Sequence, residues 1–144
     1  MARPAASIDR AIARALRPHR DVAAAYVFGS VALGRTRPES DVDIGILLGA
    51  RLSPRRAFEL RLRLIAELGS ALGRSDVDLV ILNDASPLLA HRVLATGRLV
   101  FERSASERVR FQVRTASRYA DAVPVHEMHI RYLKREPRAG DLRG

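Results

Sequence analysis

Phe28-Gly29-Ser30-Val31-Ala32-Leu33-Gly34-Arg35-Thr36-Arg37-Pro38-Glu39-Ser40-Asp41-Val42-Asp43 joins two β-prone runs through a turn rich in small residues. The first run, Val22 to Phe28, stops at Gly29, and the second opens with two carboxylates at alternate positions. A strand presents residues two apart on the same face, so Asp41 and Asp43 are predicted to stand side by side while Val42 and Ile44 pack behind them. Gly29 lets backbone approach phosphate oxygens closely, and Ser30 offers a hydroxyl and an amide to bond them. Adjacent anions of this kind call for a cation. Mg²⁺ takes carboxylate and phosphate oxygens together, and a paired-metal site stabilises both the attacking and the leaving oxygen of an in-line displacement.

On either side of this stretch the chain alternates helix-like and strand-like segments. Ile8, Ile12, Ala15 and Leu16 recur at helical spacing before a turn at Pro18 to Asp21. The second strand is expected from Asp41 to Leu48. Pro54 then opens a helical stripe running through Leu64, Ile65 and Leu68 to Leu72, closed by Gly73. Asp76 to Leu82 reads as a third strand, Leu88 to Ala95 as a short helix ended by Gly97, and Leu99 to Phe101 as a last short strand. Ser104, with Glu107 three residues on, forms a capping-box pattern for a helix through Tyr119; Pro124 marks the start of another, to about Lys134. Residues 135–144, with Pro137, Gly140 and Gly144, are expected to be a disordered basic tail. This pattern predicts one domain over 1–134, a small mixed α/β (α+β) fold whose sheet of four or five strands is flanked by helices, with C-terminal helices over about 104–134.

Composition narrows the function classes. With 144 residues, 47% hydrophobic and 28% charged, the chain fits a single folded domain and not a disordered one. No apolar run approaches the roughly 20 residues of a membrane span, so no membrane association is expected. Cysteine is absent, which excludes thiolate chemistry; with no secretory signal read at the N-terminus, a cytoplasmic location is expected. The net charge is +9 and Lys134 is the only lysine. Such an arginine excess suits ATP phosphates, RNA or an acidic protein surface, although genome base composition produces the same bias. His19, His91, His126 and His129 lack metal-ligand spacing and read as surface or packing residues. Ser30 has no Gly-x-Ser-x-Gly elbow around it, so it reads as a phosphate contact and not as a nucleophile.

Gly29-Ser30, ten intervening residues, and Asp41-Val42-Asp43 together resemble the signature of the DNA polymerase β-like nucleotidyltransferases. The resemblance covers about residues 23 to 133. Within that group the chain is most similar to the adenylyltransferase antitoxins paired with HEPN-domain ribonuclease toxins. It implies a nucleotidyltransferase fold, ATP as donor, two Mg²⁺ ions held by Asp41 and Asp43, and a tyrosine of a HEPN ribonuclease toxin as acceptor of AMP. Direct nucleic-acid binding is not required by this scheme. Spacing leaves Asp76 and Asp78 as alternatives for a third carboxylate serving as metal ligand and general base; the resemblance selects Asp78, just before Leu79-Val80. One departure concerns Leu33, which stands where many minimal relatives carry an arginine before the second glycine. Arg35 or Arg37 is then expected to supply the missing positive charge to the triphosphate. Two other readings remain at this stage: a nucleotidyltransferase modifying a small hydroxylated molecule, and an antitoxin that neutralises its toxin by binding alone.

Overall fold

The computed structural model describes residues 5–29 and 41–141. Ser30, Leu33, Arg35 and Arg37 lie outside the described residues. The elements follow in the order α1 (Ala5–Leu16), β1 (Val22–Phe28), β2 (Val42–Leu48), α2 (Pro54–Leu72), β3 (Val77–Ile81), a 3₁₀ turn (Leu82–Asp84), α3 (Pro87–Thr96), β4 (Arg98–Glu102) and α4 (Ala105–Asp141). The four strands form one mixed sheet ordered β3-β2-β1-β4. β1 is antiparallel to both of its neighbours, whereas β2 and β3 run parallel and are joined by the α2 crossover. Local chemistry sets the boundaries of the crossover helix. The Ser53 hydroxyl accepts from the Arg56 amide at 3.2 Å, Pro54 occupies the first turn, and Gly73 closes the helix at φ 65°.

β1 and β2 are buried along nearly their whole length, and alternation along β1 explains how one sheet serves two layers. Val22, Ala25 and Val27 join Ile8, Ile12 and Leu16 of α1 and Leu64, Leu68 and Leu72 of α2 in one core cluster. Ala24, Tyr26 and Phe28 face the other way, toward Ala90 and Val93 of α3 and Phe111 of α4. Full burial of such side chains is worth about 1.5–3 kcal/mol each for the large aliphatic and aromatic ones, which is what holds helices on both faces. Polar ties fix the periphery. Arg98 meets Asp9 at 2.9 and 3.0 Å, and Arg103 donates to the carbonyls of Val22 (3.0 Å) and Arg17 (2.6 Å) where α1 turns into β1.

The C-terminal region departs from the sequence expectation. In place of two helices divided at Pro124, α4 is one helix of 37 residues, Ala105–Asp141, that runs through Pro124 and Pro137. Pro124 is exposed, so the carbonyl left without its N–H partner can bond water, and the residue does not force a stop. Ser104 accepts from the Glu107 amide at 3.2 Å as the capping pattern requires, but the Glu107 carboxylate turns to Arg110 instead of closing the box. The first part of α4 is tied to the body through buried Phe111 and Thr115 and through Tyr119, which stacks on His91 with ring centroids 3.6 Å apart. Farther along, Met128 is 70% exposed.

Candidate active site

Strand register assembles the site. β1 delivers Gly29 at its end, and Phe28 pairs with Asp43 across the antiparallel ladder. Across the parallel ladder Asp43 pairs with Asp78. Asp41 lies just before β2 and is exposed, and the Val42 amide donates to the Asp76 carbonyl at 3.1 Å, which locks the starts of β2 and β3 together. Gly29 adopts φ 74°, the left-handed region that only glycine enters at little cost. A Cβ at that position would overlap the Asp43 carboxylate. The glycine is thus needed twice, for its backbone angle and for the room it gives Asp43.

Electrostatics separates the four aspartates. Burial pushes the Asp43 carboxyl above its ordinary pKa, Asp78 and Asp41 push it further, and Arg92 pulls the other way. Asp76 behaves oppositely. Arg74 grips it with two bonds of 2.7 and 2.6 Å, and this hydrogen bonding holds its carboxyl below the usual carboxylate range. Asp76 is therefore clasped by its own loop, while Asp78 stands opposite Asp43 in the parallel register. Arg92 was not singled out from sequence, because nothing distinguishes one arginine on a short helix from the many others. Its position follows from packing. A Cβ on Gly97, at the end of α3, would lie 3.2 Å from the Val27 carbonyl and 3.4 Å from the Phe28 Cβ, so α3 ends directly on the end of β1.

The donor set fits a hard divalent cation. Asp41, Asp43 and Asp78 offer only oxygens, and their mutual repulsion is what such an ion relieves. Among the described residues no three acidic or histidine side chains close into a finished ligand shell. Mg²⁺ takes one or two carboxylates and completes its octahedron with water and substrate phosphates. Two of the histidines serve elsewhere: His19 pairs with Glu67, and His91 packs on Tyr119.

Residues 10–106 match the family model described as polymerase beta, nucleotidyltransferase. The chain belongs to that family. It is similar to the protein adenylyltransferase MntA of Shewanella oneidensis, 34% identical over 94 residues, a match covering 65% of this chain and 63% of the relative. The chain thus spans under two thirds of that relative's length. Among solved structures it is similar to a chain of a toxin-antitoxin crystal structure with AMP-PNP, with a TM-score of 0.74 at 29% identity over 88% of this chain and 98% of the other. A second similar structure is the tri-AMPylated Shewanella oneidensis HEPN toxin in complex with its MNT antitoxin, with a TM-score of 0.69, 27% identity, and 88% and 96% of the two chains covered. The nucleotidyltransferase fold expected from the Gly-Ser and Asp-x-Asp signature is the fold observed, and no helix among the described residues is long and apolar enough to cross a membrane.

Proposed function

We propose that this chain is a Mg²⁺-dependent adenylyltransferase that moves AMP from ATP to a tyrosine hydroxyl of a HEPN ribonuclease toxin, acting in the cytoplasm as its antitoxin. The observation that carries the chemistry is the meeting of Gly29, Asp43 and Asp78 at one end of the sheet. The acceptor and partner rest on similarity to MntA and to structures of an antitoxin with AMP-PNP and with a tri-AMPylated HEPN toxin.

In this reading Asp41, Asp43 and Asp78 hold two cations, with Gly29 and Ser30 against the triphosphate and Arg35 or Arg37 adding positive charge. The bound ions would neutralise the triphosphate and the charge that develops as it reacts. The protein's own part is to align the acceptor oxygen with the α-phosphorus and to take its proton on Asp78. A new oxygen–phosphorus bond forms, the bond to the β-phosphate oxygen breaks, and pyrophosphate departs with its electron pair.

Incubation with α-labelled ATP, Mg²⁺ and a HEPN ribonuclease toxin tests the proposal. Label should appear on a toxin tyrosine, depend on Mg²⁺, and silence the ribonuclease. Label on a small hydroxylated molecule alone would redirect the acceptor, and neutralisation without any label would leave an antitoxin that works by binding.

A further inference from the structure

The same strands that begin at the carboxylates end at a second site of opposite sign. β2 carries Asp43 near its start and Leu48 at its end, roughly 16 Å apart at about 3.3 Å per residue. At that far end lies an open cleft of about 910 Å³, bounded by the end of β2, the first turn of α2, the 3₁₀ turn after β3, and α4. Its volume is within the range of small-molecule sites, roughly 300–1,000 Å³. Its frame is fixed by Asn83, whose side chain accepts from the Leu48 amide at 2.8 Å and donates to the Leu48 carbonyl at 2.9 Å. This bidentate tie joins the ends of β2 and β3 as an additional ladder rung would.

Three guanidinium groups line this cavity: Arg51 from the β2–α2 loop, and Arg114 and Arg118 from one face of α4. None of them has a hydrogen-bond or ion-pair partner among the described residues, whereas Arg74, Arg98, Arg103 and Arg110 are all engaged. Glu107, also in the lining, is occupied by Arg110 at 3.1 Å. Asp84 is the remaining carboxylate, and Leu52, Pro54 and Ala57 supply apolar surface. Three planar cations around an apolar floor, with one acceptor to the side, have the chemistry of a nucleoside phosphate: guanidinium forks for phosphate, aliphatic surface for the base, a carboxylate for ribose hydroxyls.

We infer that this cavity is a second nucleotide site, which binds a nucleoside diphosphate or similar mononucleotide without a divalent cation. It shares no residue with the carboxylate end and does not depend on the function proposed above. The test is calorimetric titration of the full chain with ADP in EDTA, where the carboxylate end, lacking its cation, repels phosphate. One equivalent of ADP should bind. Arg114→Ala with Arg118→Ala should weaken it at least about tenfold, as should Arg51→Ala, while the equal charge loss of Arg10→Ala with Arg14→Ala on α1 should leave it unchanged. Inorganic pyrophosphate should bind more weakly than ADP, since it lacks the base. The inference is overturned by absence of saturable ADP binding, by equal weakening in the α1 variant, or by pyrophosphate binding as tightly as ADP. It is also overturned if a single-stranded RNA oligomer, and not the mononucleotide, occupies the arginine end.

Discussion

The two ends of the central sheet use the same pair of parallel strands for opposite charges. At the start of β2 and β3, Asp43 and Asp78 are register partners with Asp41 close by, and the like charges are left in place. At the finish, Arg51, Arg114 and Arg118 converge around a cavity that Asn83 braces. The first cluster is built by neighbouring strands, so its geometry follows from ladder register. The second is built by a loop and a helix whose sequence positions are some sixty residues apart. Concentrating negative charge against a buried backbone opposes folding, and a protein retains such an arrangement where function needs it.

The contrast is broken most severely by removing the carboxylates. Asp41→Asn with Asp43→Asn should lower AMP transfer by at least about 10³-fold with the fold retained, measured by label transfer alongside circular dichroism. The same double variant should melt at a higher temperature than the parent in EDTA. The sign follows from Asp43: a carboxyl whose pKa is raised in the folded state favours its protonated form there, so its charge costs stability at neutral pH. That cost disappears as pH falls through the raised value. Thermal melts of the parent in EDTA should therefore gain stability on mild acidification from neutral pH, and added Mg²⁺ should remove the gain.

Gly29→Ala comes next. Its Cβ would force either the left-handed backbone angle or the Asp43 carboxylate to move, so transfer should fall by about 10²-fold and stability by about 1–2 kcal/mol, read from denaturant midpoints. Separating the third-strand carboxylates sharpens the picture further. Asp78→Asn should cost about 10²-fold in transfer rate, whereas Asp76→Asn, which breaks only a partly exposed pair with Arg74, should cost under about 1 kcal/mol of stability and little rate. An Asp76 variant more damaging to catalysis than the Asp78 variant would reverse the assignment. The smallest expected effect belongs to the arginine end: Arg114→Ala with Arg118→Ala should leave the AMP-transfer rate within about twofold, because neither residue approaches the carboxylates. A large loss there would mean that the two ends are coupled.

Much of the carboxylate end was legible because its determinants are local. Gly29, Asp41 and Asp43 lie within one short stretch, and strand periodicity alone puts the two carboxylates on one face. The choice between Asp76 and Asp78 was not local. Spacing admits both, and only the register Asp43 to Asp78, together with the Arg74 clasp on Asp76, distinguishes their surroundings. Arg92 was invisible for a similar reason, since its approach to Asp43 depends on how α3 settles onto the end of β1. The break expected at Pro124 overestimated a local signal: proline removes one donor, and an exposed helix face tolerates that loss.

By itself, then, the sequence determined the strand order and the helices up to α3, the turn that needs glycine, the helix start at Pro54, the cap at Ser104, and the acidic pair that opens β2, since each depends on residues a few positions apart. Tertiary structure decided which aspartate faces which, which arginines are engaged and which are free, and that α4 lays Arg114 and Arg118 beside Arg51. Those are contacts between distant segments, and their geometry exists only once the two cores have packed helices onto both faces of the sheet.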